Sequence, residues 1–314
     1  MIDINQAIES LDWSKEPKGL YEPIGYTLSA GGKRLRPQLA LTACRMFGGR
    51  DEDVLPAALA LEVFHNFTLL HDDVMDHAEV RRGRETVHVR WNENTAILSG
   101  DQMLIEAYRL LSQVREDKLA QTLRWFNEMA TEICEGQQYD VDFEQREDVR
   151  LDEYIEMIRL KTSVLLANAL RTGAYIANAS EEAQQALYDC GIHLGLAFQI
   201  QDDLLDVYGN PTTFGKAIGG DICCNKKTYL LLSARDHANA SQTERLHHWL
   251  SQLPGQEKIA GMTALYNEIG VRAMAEEAIE RHTREALRLM DTLPQNEATN
   301  ALRQLANKLE NRKS

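Results

Sequence analysis

Two stretches of this chain share one pattern, and that pattern limits what the sequence between them can fold into. His71-Asp72-Asp73-Val74-Met75-Asp76 and Gln201-Asp202-Asp203-Leu204-Leu205-Asp206 both spell D-D-x-x-D. Each is entered from apolar sequence, VFHNFTLL (63–70) before the first and HLGLAFQI (193–200) before the second. In a helix the first and last Asp stand four residues apart on one face, with their Cβ atoms about 6 Å apart. Two like charges so placed cost roughly 0.2–0.5 kcal/mol even on an exposed helix. Among core neighbours the cost is higher unless a cation neutralises them. Carboxylates are hard oxygen ligands suited to Mg²⁺, which keeps waters and is completed by phosphate groups. An acidic helix end facing solvent accounts for one such motif as well as a metal does. It does not account for two in matched apolar settings.

The rest of the chain reads as helix. Alternating β-branched runs bounded by turn residues are missing, and seven prolines punctuate 314 residues. The periodicity predicts a helix over about 18–30 that ends at Gly31-Gly32. Lys33-Arg34-Leu35-Arg36-Pro37 then opens another that runs to about Phe47, since Pro in a first turn after glycines is a good helix start. A third starts near Asp51 or Asp53 and carries the first acidic motif. Further helices are expected over 93–113, 117–145, 151–177 and 181–208. From about 228 amphipathic helices alternate with breaks at Pro254-Gly255 and Leu293-Pro294, and the last covers Glu297–Arg312. No repeat of fixed period, low-complexity tract or linker is visible, so a single all-α domain over 1–314 is expected.

A net charge of −14 argues against a general nucleic-acid binder, which needs a broad cationic face. It leaves room for a phosphorylated small molecule, which needs only a local cluster of Lys and Arg. The N-terminus shows no basic stretch followed by an apolar one, and no run approaches 18 apolar residues. A cytoplasmic protein without a membrane anchor is therefore expected. The five cysteines (Cys44, Cys134, Cys190, Cys223, Cys224) form no C-x-x-C pair and read as thiols in a reducing compartment. The adjacent Cys223-Cys224 pair has no function legible in sequence.

Cations cluster beside the acidic motifs. Lys33 and Arg36 follow a glycine pair at a helix start, where free backbone N–H groups suit a phosphate. His65 lies seven residues before Asp72, two turns down the same face. Arg81, Arg82 and Arg84 follow the first motif, and Arg binds phosphate oxygens bidentately. Gly136–Asp140 places polar groups inside a helix. Lys161-Thr162-Ser163 enters an apolar run, where a Lys usually snorkels outward. Gln199 lies three residues before Asp202, and the glycine-flanked stretch 213–228 with Lys216, Lys226 and Lys227 suits a flexible phosphate cover.

The set GGKRLRP (31–37), LLHDDVMDHAEVRRG (69–83), LKTS (160–163), FQIQDDLLD (198–206) and GKAIGGDICCNKKT (215–228) resembles the trans-isoprenyl diphosphate synthases, the polyprenyl synthetase family. The resemblance implies an all-α bundle around a central apolar pocket, working as a homodimer with three Mg²⁺ per active site. It implies head-to-tail transfer: an allylic diphosphate loses diphosphate, isopentenyl diphosphate attacks the carbocation, and a proton is lost. By the same resemblance Asp72 and Asp76 hold metal on one side of the allylic diphosphate and Asp202 on the other, with Asp73 and Asp206 as weaker ligands. Arg81, Lys161, Lys216 and Lys226 then hold the allylic diphosphate. Lys33, Arg36, His65 and Arg82 hold isopentenyl diphosphate, and Thr162 and Gln199 offer oxygens near the carbocation. Three positions depart from the family pattern: Ala217 where Pro is common, Cys223-Cys224-Asn225 before Lys226, and Ser163 where Gly or Ala is common. None removes a charged contact.

In this family the residues just upstream of the first motif form the floor of the chain pocket, here Phe64, Phe67 and Thr68. Phe67 precedes Asp72 by five residues, about 7.5 Å along a helix. That leaves room for one or two added isoprene units, so a short C15 to C20 product is expected, with C20 favoured because the first motif lacks a two-residue insertion. A terpene cyclase would need no isopentenyl diphosphate site and would carry a mixed second metal motif. A metal phosphohydrolase built on His71-Asp72 would need further helical His ligands, and His77, His88 and His193 show no such spacing. An inactive helical subunit would be expected to have lost part of one motif, and both are complete.

Overall fold

The computed structural model describes residues 2–210 and 218–310, the side chains of 309 and 310 apart. The fold is all-α, and the described residues add a single two-stranded hairpin. Its contacts divide the chain into two compact units: residues 1–127, 168–187 and 294–299, and residues 128–167, 188–293 and 300–314. The chain passes between them inside helices at 127/128, 167/168, 187/188 and 299/300, and at the Leu293–Pro294 break, so no long linker shows in the sequence.

The first unit holds α1 (Ile4–Glu9), α2 (Lys18–Ser29), α3 (Leu35–Met46), α4 (Asp51–Met75), α5 (Val87–Arg90), α6 (Glu93–Leu111) and the start of α7 (Glu116–Gln145). Three acids, Asp51, Glu52 and Asp53, fill the first turn of α4, where the helix dipole favours negative charge. Val54 and the run Ala57–Phe64 are then buried, so α4 is a core helix on nearly every side. It is long and apolar enough to cross a membrane by composition, but 61% of its most apolar window is buried inside the protein. Gly100 on α6 lets the two helices meet closely, since a Cβ there would stand 2.3 Å from His71 Nε2. Gly173 on α9 (Val164–Ile176) does the same against the Ala40 carbonyl, at 2.1 Å.

After α4 the chain turns through a hairpin, β1 (Val80–Arg81) against β2 (Arg84–Glu85). Its two loop residues, Arg82 and Gly83, have φ of 53° and 73°, the left-handed pair a two-residue hairpin turn requires. The buried Thr86 hydroxyl closes the base by donating to the Ala78 carbonyl at 2.7 Å.

The second unit holds the end of α7, α8 (Leu151–Ile158), the start of α9, most of α10 (Glu181–Tyr208), and α11 (Gly220–Cys223), α12 (Tyr229–His237), α13 (Ala240–Leu250), α14 (Gln256–Ile269) and α15 (Val271–Met290). The final helix, α16 (Glu297–Glu310), is divided between the units. Tyr154, Met157 and Ile158 of α8 pack with Leu196, Ile200 and Leu204 of α10 and Leu230 of α12 in one core. The helix expected over 151–177 is interrupted: Arg159–Ser163 forms a π-helical turn between α8 and α9. Two glycines admit it. A Cβ on Gly136 of α7 would stand 2.4 Å from the Lys161 nitrogen, and one on Gly195 of α10 would stand 2.4 Å from the Ser163 Cα. Side-chain periodicity could not show this, because one extra residue in a turn leaves the apolar pattern on both sides intact.

Candidate active site

In the first unit the acidic motif ends α4. Asp73 turns inward, is buried, and accepts a 2.6 Å bond from Arg81 Nε. Burial raises its pKa, and the Arg81 guanidinium opposes that rise. Arg81 also reaches to 3.8 Å from Asp72. Asp72 is half-buried and Asp76 exposed, so the two carboxylates at i and i+4 face outward while the middle one is committed to Arg81. Asp72 and Asp76 thus stay on the outer side of the helix end, whereas Asp73 pairs with Arg81.

The cations predicted around His65 converge. Arg82 donates from Nη1 to the Gly31 carbonyl, and Gly32 packs under its guanidinium, where a Cβ would be 3.0 Å from Cζ. Gly31 and Gly32 have φ of 75° and 131°, which favour glycine. His65 is held neutral: burial lowers its pKa well below 6.5, and Arg36, Arg82, Arg81 and Arg34 lower it further. Burial brings Arg36 down to about 10 against the pull of Glu62, and its Nε is a buried donor without a partner. Lys33 is exposed at the glycine loop. One acid, Glu62, is buried among these charges. It pairs with the buried Arg34 at 2.8 Å, and Arg34 also donates to the Leu28 carbonyl. Arg34 was not a predicted site residue, and its role is to hold the loop that presents Lys33 and Arg36. A group of guanidiniums with one carboxylate and a spare buried donor has the chemistry to hold an anion.

In the second unit the residues singled out from sequence line one cavity of about 120 Å³. Lys161, Thr162, Gln199, Asp202, Asp206 and Lys226 are all at its wall. Asp140 joins the two lysines, 2.6 Å from Lys161 Nζ and 3.7 Å from Lys226 Nζ. Burial works against its ionisation, but the two ammonium groups outweigh burial and its pKa falls. Thr162 Oγ1 donates to Gln199 Oε1 at 3.2 Å, and Gln199 Nε2 donates to Asp203 at 3.3 Å. Asp203 is buried, accepts from the Tyr154 hydroxyl at 2.5 Å and the Tyr229 amide at 2.9 Å, and is pushed up to about 7 by burial and the nearby Asp221. Asp206 accepts from the Asp221 amide at 3.1 Å, fixing the start of α11. Asp202 is half-buried beside the cavity.

Asn225, noted as a departure from the family pattern, takes φ 54° and donates to the Leu250 carbonyl at 3.0 Å. Cys223 and Cys224 are free thiols in the same turn. Lys227 turns away from the cavity to the Glu144 carbonyl. Lys216 and Ala217 lie outside the described residues. Upstream of the first motif, Phe64 is buried, with Phe67 at 5.5 Å and Phe126 at 5.1 Å between ring centres. Phe67 stacks edge-on to His71 at 4.8 Å, and Thr68 donates to the His65 carbonyl.

A family model for polyprenyl synthetases matches residues 17–269. The chain belongs to the polyprenyl synthetase family. It is 37% identical over 280 residues to a geranylgeranyl diphosphate synthase of Methanosarcina mazei, covering 85% of this chain and 86% of that one. It is 36% identical to a geranylfarnesyl diphosphate synthase of Natronomonas pharaonis, covering 96% and 93%. A crystal structure of a geranylgeranyl pyrophosphate synthase superposes with a TM-score of 0.92 at 44% identity over the full length of both chains. As a polyprenyl synthetase the protein is a transferase of prenyl groups. The family depends on divalent metal and uses allylic diphosphates and isopentenyl diphosphate. Among the described residues no three acidic, His or Cys side chains are arranged to hold an ion unaided. The outward carboxylates nevertheless fit a hard cation that takes the rest of its shell from water and substrate phosphates.

Proposed function

We propose that this polyprenyl synthetase condenses isopentenyl diphosphate head-to-tail with allylic diphosphates of C5 to C15, giving a short all-trans product of C20 or C15. The observation that carries this reading is the Lys161–Asp140–Lys226 cluster beside Asp202 and the Thr162–Gln199 pair. The barrier to such a reaction is separation of diphosphate from a carbocation, so fixed cations belong at the leaving group and neutral oxygens at the carbon. The Lys161 ammonium carries three donors and gives one to Asp140, and we assign it to the phosphate oxygens of the allylic substrate. Lys226 and Arg81 take the same part, with Lys216 from the loop. Thr162 Oγ1 and Gln199 Oε1 are oxygen dipoles that stabilise positive charge without acting as nucleophiles. The cluster of Lys33, Arg36, Arg82 and neutral His65 holds isopentenyl diphosphate.

Mg²⁺, three ions per site, would be held by Asp72, Asp76 and Asp202 and would neutralise charge on the leaving diphosphate. Asp73 and Asp206 support their motifs through Arg81 and the Asp221 amide. Phe67 marks the pocket floor with Phe64 and Thr68, which favours C20. We also assign the active form as a cytoplasmic homodimer, supported by exposed Ile97, Leu98, Ile105 and Tyr108 on α6.

Purified protein supplied with isopentenyl diphosphate and each allylic diphosphate, with Mg²⁺ or EDTA, tests the proposal. Dephosphorylated products sized by mass spectrometry should form a Mg²⁺-dependent ladder that stops at C20 or C15. Cyclised or hydrolysed allylic substrate with no isopentenyl diphosphate consumed would overturn it.

A further inference from the structure

Four residues at the wall of the second-unit cavity, Tyr154, Asp203, Gln199 and Thr162, are joined by one line of hydrogen bonds. The Tyr154 hydroxyl on α8 donates to Asp203 Oδ2 at 2.5 Å, and Gln199 Nε2 on α10 donates to Asp203 Oδ1 at 3.3 Å. Thr162 Oγ1 in the π turn donates in turn to Gln199 Oε1 at 3.2 Å. The Tyr229 amide, 2.9 Å from Oδ2, can only donate, so Oδ2 is an acceptor. A side-chain amide has one donor end and one acceptor end. What Gln199 offers Asp203 therefore decides what it offers Thr162. With Nε2 at the carboxylate, Oε1 meets the Thr162 hydroxyl, and the lone pairs of Oγ1 are left over. Turned end for end, the amide would take a lone pair of Oγ1. It would also set N–H groups, the positive end of its dipole, where the proposed reaction develops positive charge.

We infer that Tyr154 is a positioning residue for prenyl transfer: acting through Asp203, it sets which way the Gln199 amide faces, so that Gln199 and Thr162 present oxygens to the allylic cation. This role rests on the prenyl-transfer reading and adds to it a residue that works through its neighbours. Two features make Tyr154 the anchor of the line. Its bond to Asp203 is the shortest of the three, between two buried side chains, where a hydrogen bond to a carboxylate is stronger than in water. Tyr154 and the Tyr229 amide also meet on the same oxygen, Oδ2, which leaves Oδ1 turned to Gln199. Without the hydroxyl the carboxylate keeps one donor on Oδ2 and can turn about its Cβ–Cγ bond. The 3.3 Å bond to Gln199 Nε2, the longest of the three, is then the first to give. Lys161 bonds to Asp140 instead and stands outside this line.

The test is a double-mutant cycle of Tyr154→Phe and Gln199→Leu, read by rapid-quench single turnovers of the first condensation with saturating Mg²⁺ at pH 8, on the ionised side of Asp203. Tyr154→Phe keeps the ring in the core and removes the hydroxyl. Its single-turnover rate should fall by about 10-fold, the lower end of what a hydrogen bond to a charged group is worth. The KM of each substrate and the Mg²⁺ concentration for half-maximal rate should stay at wild-type values. In the Gln199→Leu background the same substitution should cost less than about 2-fold, because the amide it orients is gone. Losses that multiply, an unchanged rate in Tyr154→Phe, or a shifted Mg²⁺ requirement would each overturn this role. If Tyr154→Phe does not fold by circular dichroism, Asp203→Asn replaces it in the cycle. The new amide keeps Tyr154 and Tyr229 on its oxygen and turns its NH₂ to Gln199, which reverses Gln199. Its loss should likewise vanish with Gln199→Leu, and a loss that persists there would sink the inference. A wild type that consumes no isopentenyl diphosphate would remove the prenyl-transfer reading as well, whereas multiplied losses in a condensing wild type would remove the role of Tyr154 alone.

Discussion

At Asp140 a single carboxylate meets two lysines that the proposed reaction needs at the leaving diphosphate. Substituting Asp140→Asn keeps the shape and removes the charge that holds them together. We expect kcat/KM for the allylic substrate to fall by about 10–100-fold, with KM for isopentenyl diphosphate little changed. Steady-state kinetics with each substrate varied separately would read this, and an increase would mean that Asp140 competes with diphosphate rather than positioning its lysines. His65 gives a pH effect of known sign. Its folded pKa lies well below the unfolded 6.5, so below pH 6.5 the unfolded chain takes up a proton that the folded one refuses. Stability is therefore fully present above 6.5 and falls on acidification, by up to about 1.4 kcal/mol per pH unit. Urea unfolding of His65→Gln between pH 7.5 and 5 should show a flatter decline than wild type, and parallel declines would discount the arginine cage.

Among the elements, the π turn at 159–163 depends on neighbours that lack side chains. Gly195→Ala would press a Cβ onto the Ser163 backbone and cost about 1–3 kcal/mol by overpacking. It should also lower kcat by shifting the 3.2 Å Thr162–Gln199 pair. Gly19→Ala on α2, with nothing within 4 Å of the added Cβ, should keep kcat and hold or raise the melting temperature, so equal behaviour of the two variants would count against the packing argument. In α4 the rings of Phe64 and Phe67 and the imidazole of His71 stack in succession toward the acidic motif. Phe67→Ala should lengthen the product by one or more C5 units, read by mass spectrometry, with Phe64 and Phe126 forming the next wall. An unchanged product would place the floor elsewhere.

For the whole molecule, the exposed face of α6 carries Leu98 at 59% and Ile105 at 54% exposure, together with Ile97 and Tyr108. Apolar side chains repeating seven to eight residues apart are a helix-pairing stripe. Ile105→Lys should therefore halve the mass measured by light scattering, and an unchanged mass would remove α6 from the interface. That outcome would leave the prenyl-transfer proposal standing, because each cation cluster is assembled within one unit of one chain.

Sequence determined the all-α class and most helix limits, since apolar spacing is local and glycines and prolines mark the breaks. It also showed Asp72, Asp76 and Asp202, and the cations near them, because carboxylates in apolar helices need a reason. The two-unit division, the π turn and the roles of Asp73, Asp140 and Asp203 were decided by tertiary structure. Asp203 reads like Asp202 in the chain, yet at the same cavity Asp203 is buried and tied to Tyr154 and the Tyr229 amide while Asp202 stays half-buried, a difference of helix rotation that only packing sets. Asp140 gains its meaning from Lys161, 21 residues on, and Tyr154 from Asp203, 49 residues on. Such contacts join distant turns, and local periodicity carries no trace of them.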